Sequence, residues 1–161
     1  METNESAFRI EEIFPFLDPY VAEWFDSNYT SLTDPQKQAI PLIHEGRNVL
    51  VSSPTGTGKT LTAFLSIINE LFILARNGKL EDKIYCVYIS PLKALANDID
   101  KNLKKPLEGI YEIAERKNEK ISKIKVSVRS GDTSLSERQK MSRKPPHILI
   151  TTPESLSLAL S

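Results

Sequence analysis

The sequence predicts an α/β fold, a parallel β-sheet lying between helices. Short apolar runs at 48–51, 84–89, 124–129 and 147–150 have the length and composition of strands. Helical segments separate them. Strands joined through helices pair in parallel by right-handed crossovers.

The elements follow in chain order. Asp18-Pro19 supplies a cap and a first residue for a helix carrying Val21, Trp24 and Phe25. Thr33-Asp34-Pro35 starts a second, which runs through Ile40 to Glu45 and stops at Gly46; Pro41 lacks a backbone donor and should kink or divide it. Phe14, Phe16, Tyr20, Trp24, Phe25 and Tyr29 make this the aromatic-rich part of the chain, and at least four of the six are expected to fill a core against the sheet. Asn48-Val49-Leu50-Val51 reads as a buried strand. Leu61 to Ala75 has apolar residues at helical spacing over most of its surface, and Asn77-Gly78 ends that helix. Ile84 to Ile89 reads as a central strand closed by Ser90-Pro91. A helix is expected over 93–103, and Pro106 opens another that runs to Lys117. Ile124 to Arg129 alternates, so one face of that strand is less buried. Gly131-Asp132 turns the chain, and Ser134 with Glu137 has capping-box spacing. His147 to Ile150 is the next strand, and Thr152-Pro153 caps and starts the last helix.

Between the first strand and its helix lies Ser53-Pro54-Thr55-Gly56-Thr57-Gly58-Lys59-Thr60. This is the phosphate-binding P-loop pattern, with Ser53 at the position of the usual first glycine. Gly56 and Gly58 let backbone N–H groups curl around an anion at a helix N-terminus that already carries partial positive charge. Lys59 brings a cation to the β- and γ-phosphates, and the Thr60 hydroxyl is the expected Mg2+ ligand. The nucleotide-binding residues read from the pattern are Thr55, Gly56, Thr57, Gly58, Lys59 and Thr60.

Composition narrows the class. The chain has 161 residues, enough for one domain with a sizeable core, and its 21 basic and 21 acidic residues balance. Contact with a polyanion must therefore come from local groups. Cys86 is the only cysteine and reads as a small buried hydrophobe, which excludes an intrachain disulfide. With His44 and His147 far apart in sequence, a structural zinc site is not expected, and neither histidine has a partner that suggests catalysis. The N-terminus is polar and acidic, and 61–75 is too short and too interrupted by polar residues to span a bilayer, so a cytoplasmic protein without membrane contact is expected.

Four further stretches carry a resemblance. Thr33-Asp34-Pro35-Gln36 with Ala39-Ile40-Pro41 resembles the Q motif of superfamily 2 helicases; the P-loop is similar to their motif I, and Ser90-Pro91-Leu92-Lys93-Ala94-Leu95 to motif Ia. Gly131-Asp132-Thr133 and Thr151-Thr152-Pro153-Glu154-Ser155-Leu156 resemble stretches that contact the nucleic-acid backbone around motif Ib. The wording is most similar to the large helicase-related (Lhr) group, over about Phe14 to Leu160. The resemblance implies a RecA-like P-loop NTPase fold, incomplete here, with residues 1–46 as a helical cap carrying the Q motif and 47–161 as part of the first RecA-like ATP-binding domain. It implies ATP and Mg2+ as cofactors, Lys59 as the catalytic cation, and single-stranded DNA or RNA gripped through its backbone by Lys93, Gly131 and Thr152.

Chemistry supports each role and supplies a plainer one beside it. The Gln36 amide gives and takes hydrogen bonds at once, which suits the N6/N7 edge of adenine; Gln38 is its competitor. Phe16 or Tyr20 is a candidate to stack on the base, and Tyr29 reads as packing. Lys93 is equally a surface lysine, Thr152 also a helix cap, Gly131 also a residue needed for backbone geometry, and Asp132 and Thr133 also caps. No acidic pair follows an apolar strand, so the motif II carboxylates, the later motifs and the second RecA-like domain are expected outside this stretch. Their strands would separate the P-loop strand from the 84–89 strand. The expected consequence is either an open apolar trough with unpaired edges or direct pairing of those two strands, with negligible ATPase activity, and marginal stability or self-association, for the stretch alone. The alternatives are a P-loop ATPase of another kind, or an inactive remnant that binds nucleotide or nucleic acid without turnover.

Overall fold

The structure, a computed structural model, describes residues 9–54, 58–91 and 99–161. Its contacts fall into two units, one of residues 1–70 with 102–120, the other of residues 71–101 with 121–161.

The first unit is helical. It holds α1 (Ile10–Ile13), α2 (Pro19–Asn28), α3 (Asp34–His44), the first part of α4 (Lys59–Arg76) and α5 (Lys105–Arg116). The α1 turn has no counterpart in the sequence reading; Ile10 is fully buried, and its N–H donates to Asp26 Oδ1 at 2.8 Å. Asp18 caps α2 by accepting from the Tyr20 N–H at 2.9 Å. Of the six aromatics, Phe14, Tyr20, Trp24 and Phe25 are buried. The core they join in this unit is made with α5, on which α2 packs. The Tyr20 hydroxyl donates to Glu119, and Lys117 Nζ stands 5.0 Å over the Tyr20 ring. Pro41 does not divide α3, which runs through it to His44.

Helix α5 does not start afresh at Pro106. A π-helical turn, Asp100–Lys104, leads into it without a break, and Lys104 is already in helical conformation. Gly109 is where α5 meets α2. A Cβ there would lie 2.5 Å from Trp24 Cδ1 and 2.6 Å from Nε1.

Helix α4 buries Leu61, Phe64, Leu65, Ile68, Leu71 and Phe72. Its buried polar residues are all satisfied. Thr62 Oγ1 donates to the Gly58 carbonyl at 2.8 Å and Ser66 Oγ to the Thr62 carbonyl at 2.9 Å. Asn69 Oδ1 accepts from the Asp18 N–H at 2.7 Å, tying α4 to the start of α2.

The second unit holds a parallel three-stranded sheet of β1 (Cys86–Ile89), β2 (Val126–Arg129) and β3 (Ile148–Thr151), in the order β1-β3-β2. Helix α6 (Leu135–Arg143) and helix α7 (Pro153–Leu160) follow β2 and β3. The α/β class with a parallel sheet is as expected, but the central strand is β3, with all four residues buried, and β1 is an edge. Ile84, Val87 and Ile89 are accordingly exposed. The expected strand at 48–51 does not form. The segment belongs to no ladder among the described residues, and Leu50 is 94% exposed. An extended segment with no neighbouring strand cannot satisfy its backbone groups as a sheet does. Both expected consequences presuppose that strand, so neither the trough between two strands nor their direct pairing arises as stated. Cys86 is half-buried in β1, and burial pushes its thiol pKa up, consistent with an inert packing role.

His147 closes the start of the sheet. Its carbonyl accepts from the N–H groups of Tyr85 and Cys86, and its N–H donates to the Lys125 carbonyl. Its Nδ1 accepts from the Lys125 N–H at 2.8 Å, so the neutral imidazole is the form that fits. Burial holds its pKa below the usual histidine value, helped by the Lys125 cation and opposed by Asp82. A lowered folded pKa stabilises the fold fully above the unfolded value of about 6.5. That stability is lost as pH falls below 6.5 and through the folded value.

Two outcomes follow. The melting temperature should fall between pH 7 and pH 5, and His147→Asn, which keeps an acceptor near Nδ1, should flatten that fall; an unchanged slope in the variant would remove His147 as its source. Gly109→Ala should destabilise by about 1–3 kcal/mol through overpacking against Trp24. Helix propensity alone would give a gain of about 1 kcal/mol, so the sign of the shift in a urea melt decides between them.

Candidate nucleotide and nucleic-acid sites

The P-loop lysine stands on the first position of α4, an 18-residue helix, with Thr60 next to it. Thr55, Gly56 and Thr57 lie outside the described residues. Gly58 has φ +77°, a left-handed conformation that a side chain would strain. Lys59 Nζ donates to the Ser53 carbonyl at 2.6 Å, so the two ends of the loop are held together by its own cation.

Gln36 sits against this loop. It is buried, and a Cβ on Gly58 would lie 2.6 Å from Gln36 Nε2. Its other amide atom is committed locally. Gln36 Oε1 accepts from the Thr33 N–H at 2.9 Å, while Thr33 Oγ1 accepts from the Gln36 N–H at 3.4 Å. These two bonds form a capping box at the start of α3. Sequence reasoning missed this box, although the spacing Thr33-x-x-Gln36 carries its signature. Gln38 is exposed and points elsewhere, into a cleft of about 460 Å3 lined by Asp34, Pro35, Ala39, Leu42 and the 49–54 segment.

The aromatic candidates separate as well. Tyr20 is buried and bonded to Glu119. Phe16 stacks on His44, with ring centroids 3.9 Å apart and planes 6° apart, and His44 Nδ1 pairs with Glu70 at 2.8 Å. Tyr29 stacks on Phe25 at 4.8 Å, the packing role expected of it.

In the second unit the expected strand-binding residues lie at the C-terminal ends of β2 and β3. Lys93 lies outside the described residues. Thr152 is buried and caps α7, its Oγ1 accepting from the Ser155 N–H at 3.3 Å. Thr151 Oγ1 donates to the Arg129 carbonyl at 2.8 Å, which joins the ends of the two strands. The turn after β2 is closed by Thr133, whose Oγ1 accepts from the Ser130 N–H at 2.9 Å; the helix cap is Ser134, in a capping box with Glu137. Gly131 has no positive φ, and a Cβ there would meet nothing within 4 Å. Backbone geometry therefore does not require glycine at this position. Arg138 is a residue that sequence reasoning missed. Its Nη2 donates to the carbonyls of Ser130 at 3.2 Å and Gly131 at 3.4 Å, so α6 holds the turn from one helical turn away. The capping box was the available signal, because it places Arg138 at the fourth residue of the helix.

The group that these residues fit is a nucleotide phosphate: a cation and a hydroxyl at a helix N-terminus, behind a glycine in the left-handed region. Among the described residues there is no group of three or more His, Cys, Asp or Glu that could hold a metal ion. Among them, too, no helix is long and apolar enough to cross a membrane.

A P-loop lysine at a helix start, beside a buried glutamine in an α/β chain, defines a protein of the nucleoside-triphosphate-binding class. The DEAD/DEAH box helicase family model matches residues 33–161, and the chain belongs to that family. ATP-dependent helicase Lhr-Core of Methanocaldococcus jannaschii is 56% identical over 161 residues, which is 100% of this chain and 19% of that protein. The Lhr helicase/uracil glycosylase of Escherichia coli is 40% identical over 147 residues, 89% of this chain and 10% of that one. The structure of Mycobacterium smegmatis helicase Lhr bound to ssDNA and AMP-PNP superposes with a TM-score of 0.81 at 43% identity, covering 92% of this chain and 18% of that one. DEAD-box helicase Mss116 bound to ssRNA and UDP-BeF, at 21% identity, a TM-score of 0.74 and coverage of 98% of this chain and 31% of that one, shares the fold. The chain spans about a fifth of the length of the Lhr-Core relatives it matches.

Gly58→Ala should weaken nucleotide binding and destabilise the chain. It suffers twice, through φ strain of about 1–2 kcal/mol and through collision with Gln36. Adding Gln36→Ala removes the collision and leaves the strain, so the double variant should be less destabilised than the sum of the two single variants. Strict additivity in urea melts would show that Gly58 and Gln36 do not touch.

Proposed function

We propose that the chain is the ATP-binding part of an ATP-dependent DNA or RNA helicase or translocase. Residues 1–46 act as a helical cap with the Q motif, and 47–161 as part of the first RecA-like domain. The observation that carries this is the seat of Gln36 against Gly58, which brings a base-reading amide and a phosphate-binding loop together. Gln36 reads adenine through the amide nitrogen that the capping box leaves free. The loop from Thr55 to Thr60 holds the phosphates, Lys59 neutralises charge that develops on them, and Thr60 offers its hydroxyl to Mg2+. The metal supplies further charge neutralisation when bound. Lys59 leaves the Ser53 carbonyl to reach the nucleotide, so binding exchanges an internal hydrogen bond for an ion pair.

A single strand of DNA or RNA docks at the C-terminal ends of β2 and β3. Gly131 leaves room for close backbone approach, and Lys93 adds a cation. Thr152 takes part through the helix start that it caps and through its hydroxyl, which accepts from the Ser155 N–H and keeps its own proton to donate to a phosphate. The similarity to Lhr bound to ssDNA and AMP-PNP, and to relatives that are ATP-dependent helicases, supports both ligand classes. A second RecA-like domain in the longer protein and a cytoplasmic setting belong to the same reading.

Titration calorimetry with Mg2+ and ADP or GDP tests it. Lys59→Ala should lose most nucleotide affinity. Wild type should prefer ADP, and Gln36→Ala should erase much of a preference on the order of 1–3 kcal/mol. Equal ADP affinity in wild type and Lys59→Ala would falsify the nucleotide assignment.

A further inference from the structure

Helix α6 has no buried residue. A helix held by packing shows an apolar stripe, and this one does not. Polar contacts hold it instead: the capping box of Ser134 and Glu137, and the two bonds of Arg138 to the turn at 130–131. Lys140, Arg143 and Lys144 are exposed, and among the described residues none closes an ion pair within 4 Å, although the Lys144 charge helps, after Lys125, to hold the Asp82 carboxyl low. Lys140 and Arg143 stand at i and i+3 in the last turn and Lys144 is the C-cap that follows, so the three crowd the C-terminal end of the helix as one stripe, where like charges repel. The helix dipole favours a cation in the last turn, but the stripe concentrates three. Between Lys123 and Lys144 the chain carries seven Lys or Arg against two acids, Asp132 and Glu137.

We propose that the Lys140–Arg143–Lys144 stripe of α6 is a docking surface for a nucleic-acid phosphate backbone, separate from the strand-end site. The inference rests on the reading of that site as a strand-binding one. Charge complementarity argues for a polyanion. A lipid surface does not fit, because a membrane-surface helix needs an apolar face opposite its cations, and α6 has none. Position argues for the same strand. The helix starts at the turn bearing Gly131, and its nine residues extend about 13 Å. That is on the order of one Debye length at moderate salt, so cations along α6 and a strand docked at the turn share one field. Such contacts grip the backbone and read no sequence.

Binding of a fluorescent 20-mer of deoxythymidine to the whole chain, measured over a salt series, tests this. Lys140→Gln/Arg143→Gln/Lys144→Gln alters no buried side chain, and ADP affinity and the melting curve should stay as in wild type. Its salt slope should be shallower by about 0.7 for each phosphate that the stripe no longer neutralises. Low-salt affinity should fall by about tenfold or more. A control, Arg9→Gln/Lys37→Gln/Lys120→Gln, changes net charge equally and should bind as wild type does. Equal weakening in the control would reduce the effect to net charge and overturn the proposal. An unchanged slope in the α6 variant, with wild type binding, would overturn it and leave the strand-end reading standing. No binding by wild type at low salt would overturn both.

Discussion

The Gln36 amide ties the start of α3 to the loop at Gly58. Its oxygen is fixed by the Thr33 N–H, which starts α3. Its nitrogen is thereby aimed at Gly58, which must be glycine both for its φ of +77° and for lack of space. A free glutamine would lose rotamer entropy on meeting a base; one already locked in a capping box has lost it on folding. The same lock couples the cap and the loop mechanically, since any shift of Gly58 presses on the amide. The cap at Thr33 and the loop at Gly58 therefore form one device, although 25 residues of chain separate them in sequence.

A parallel arrangement governs the second unit. There Arg138 donates to the carbonyls of the turn at 130–131, as Gln36 packs closely against the loop at Gly58. Both residues lie in the first turns of helices closed by capping boxes, and both use the helix start as a rigid mount. Backbone carbonyls accept from Arg138, so the turn is held without using up its outward face. Gly131 consequently stays open, with nothing within 4 Å of a would-be Cβ.

The helices and their caps were legible because their signals are local. Asp18-Pro19, Ser134 with Glu137 and Thr152-Pro153 each encode a start within four residues, and each start is where it was expected. Strand placement was less legible. The run at 48–51 has strand composition, but a strand exists only with a neighbour, and this one has none among the described residues. Ile84 to Ile89 reads as central from its apolarity, yet edge or centre depends on pairing that local sequence does not encode. The site residues split in the same way. Pattern alone marked Lys59 and Gly58, while the burial of Thr152 and the commitment of Tyr20 to Glu119 are tertiary facts. Arg138 carried only a local signal, its place four residues after the capping Ser134, because an arginine in a polar helix has no periodic one.

Net charge is the clearest case of a quantity that folding rearranges. The chain sums to zero, which gives no overall pull on a polyanion. Yet residues 71–101 and 121–161 hold twelve basic and seven acidic side chains, while 1–70 and 102–120 hold nine and fourteen. The two units interleave along the chain, so averaging over sequence hides the separation. Electrostatic attraction acts over distances near the Debye length, about 10 Å at 0.1 M salt, and therefore responds to a unit's surface and not to the whole-chain sum. A neutral composition is compatible with a backbone-gripping face provided that the cations and the acids are sorted to different units. The basic excess falls in the unit that carries the strand ends, Gly131 and Thr152, and the acidic excess in the unit that carries Gln36 and Lys59. A triphosphate docked in that acidic unit would have no diffuse positive field to rely on, and fixed donors of a loop and a helix start are the chemistry that would hold it there.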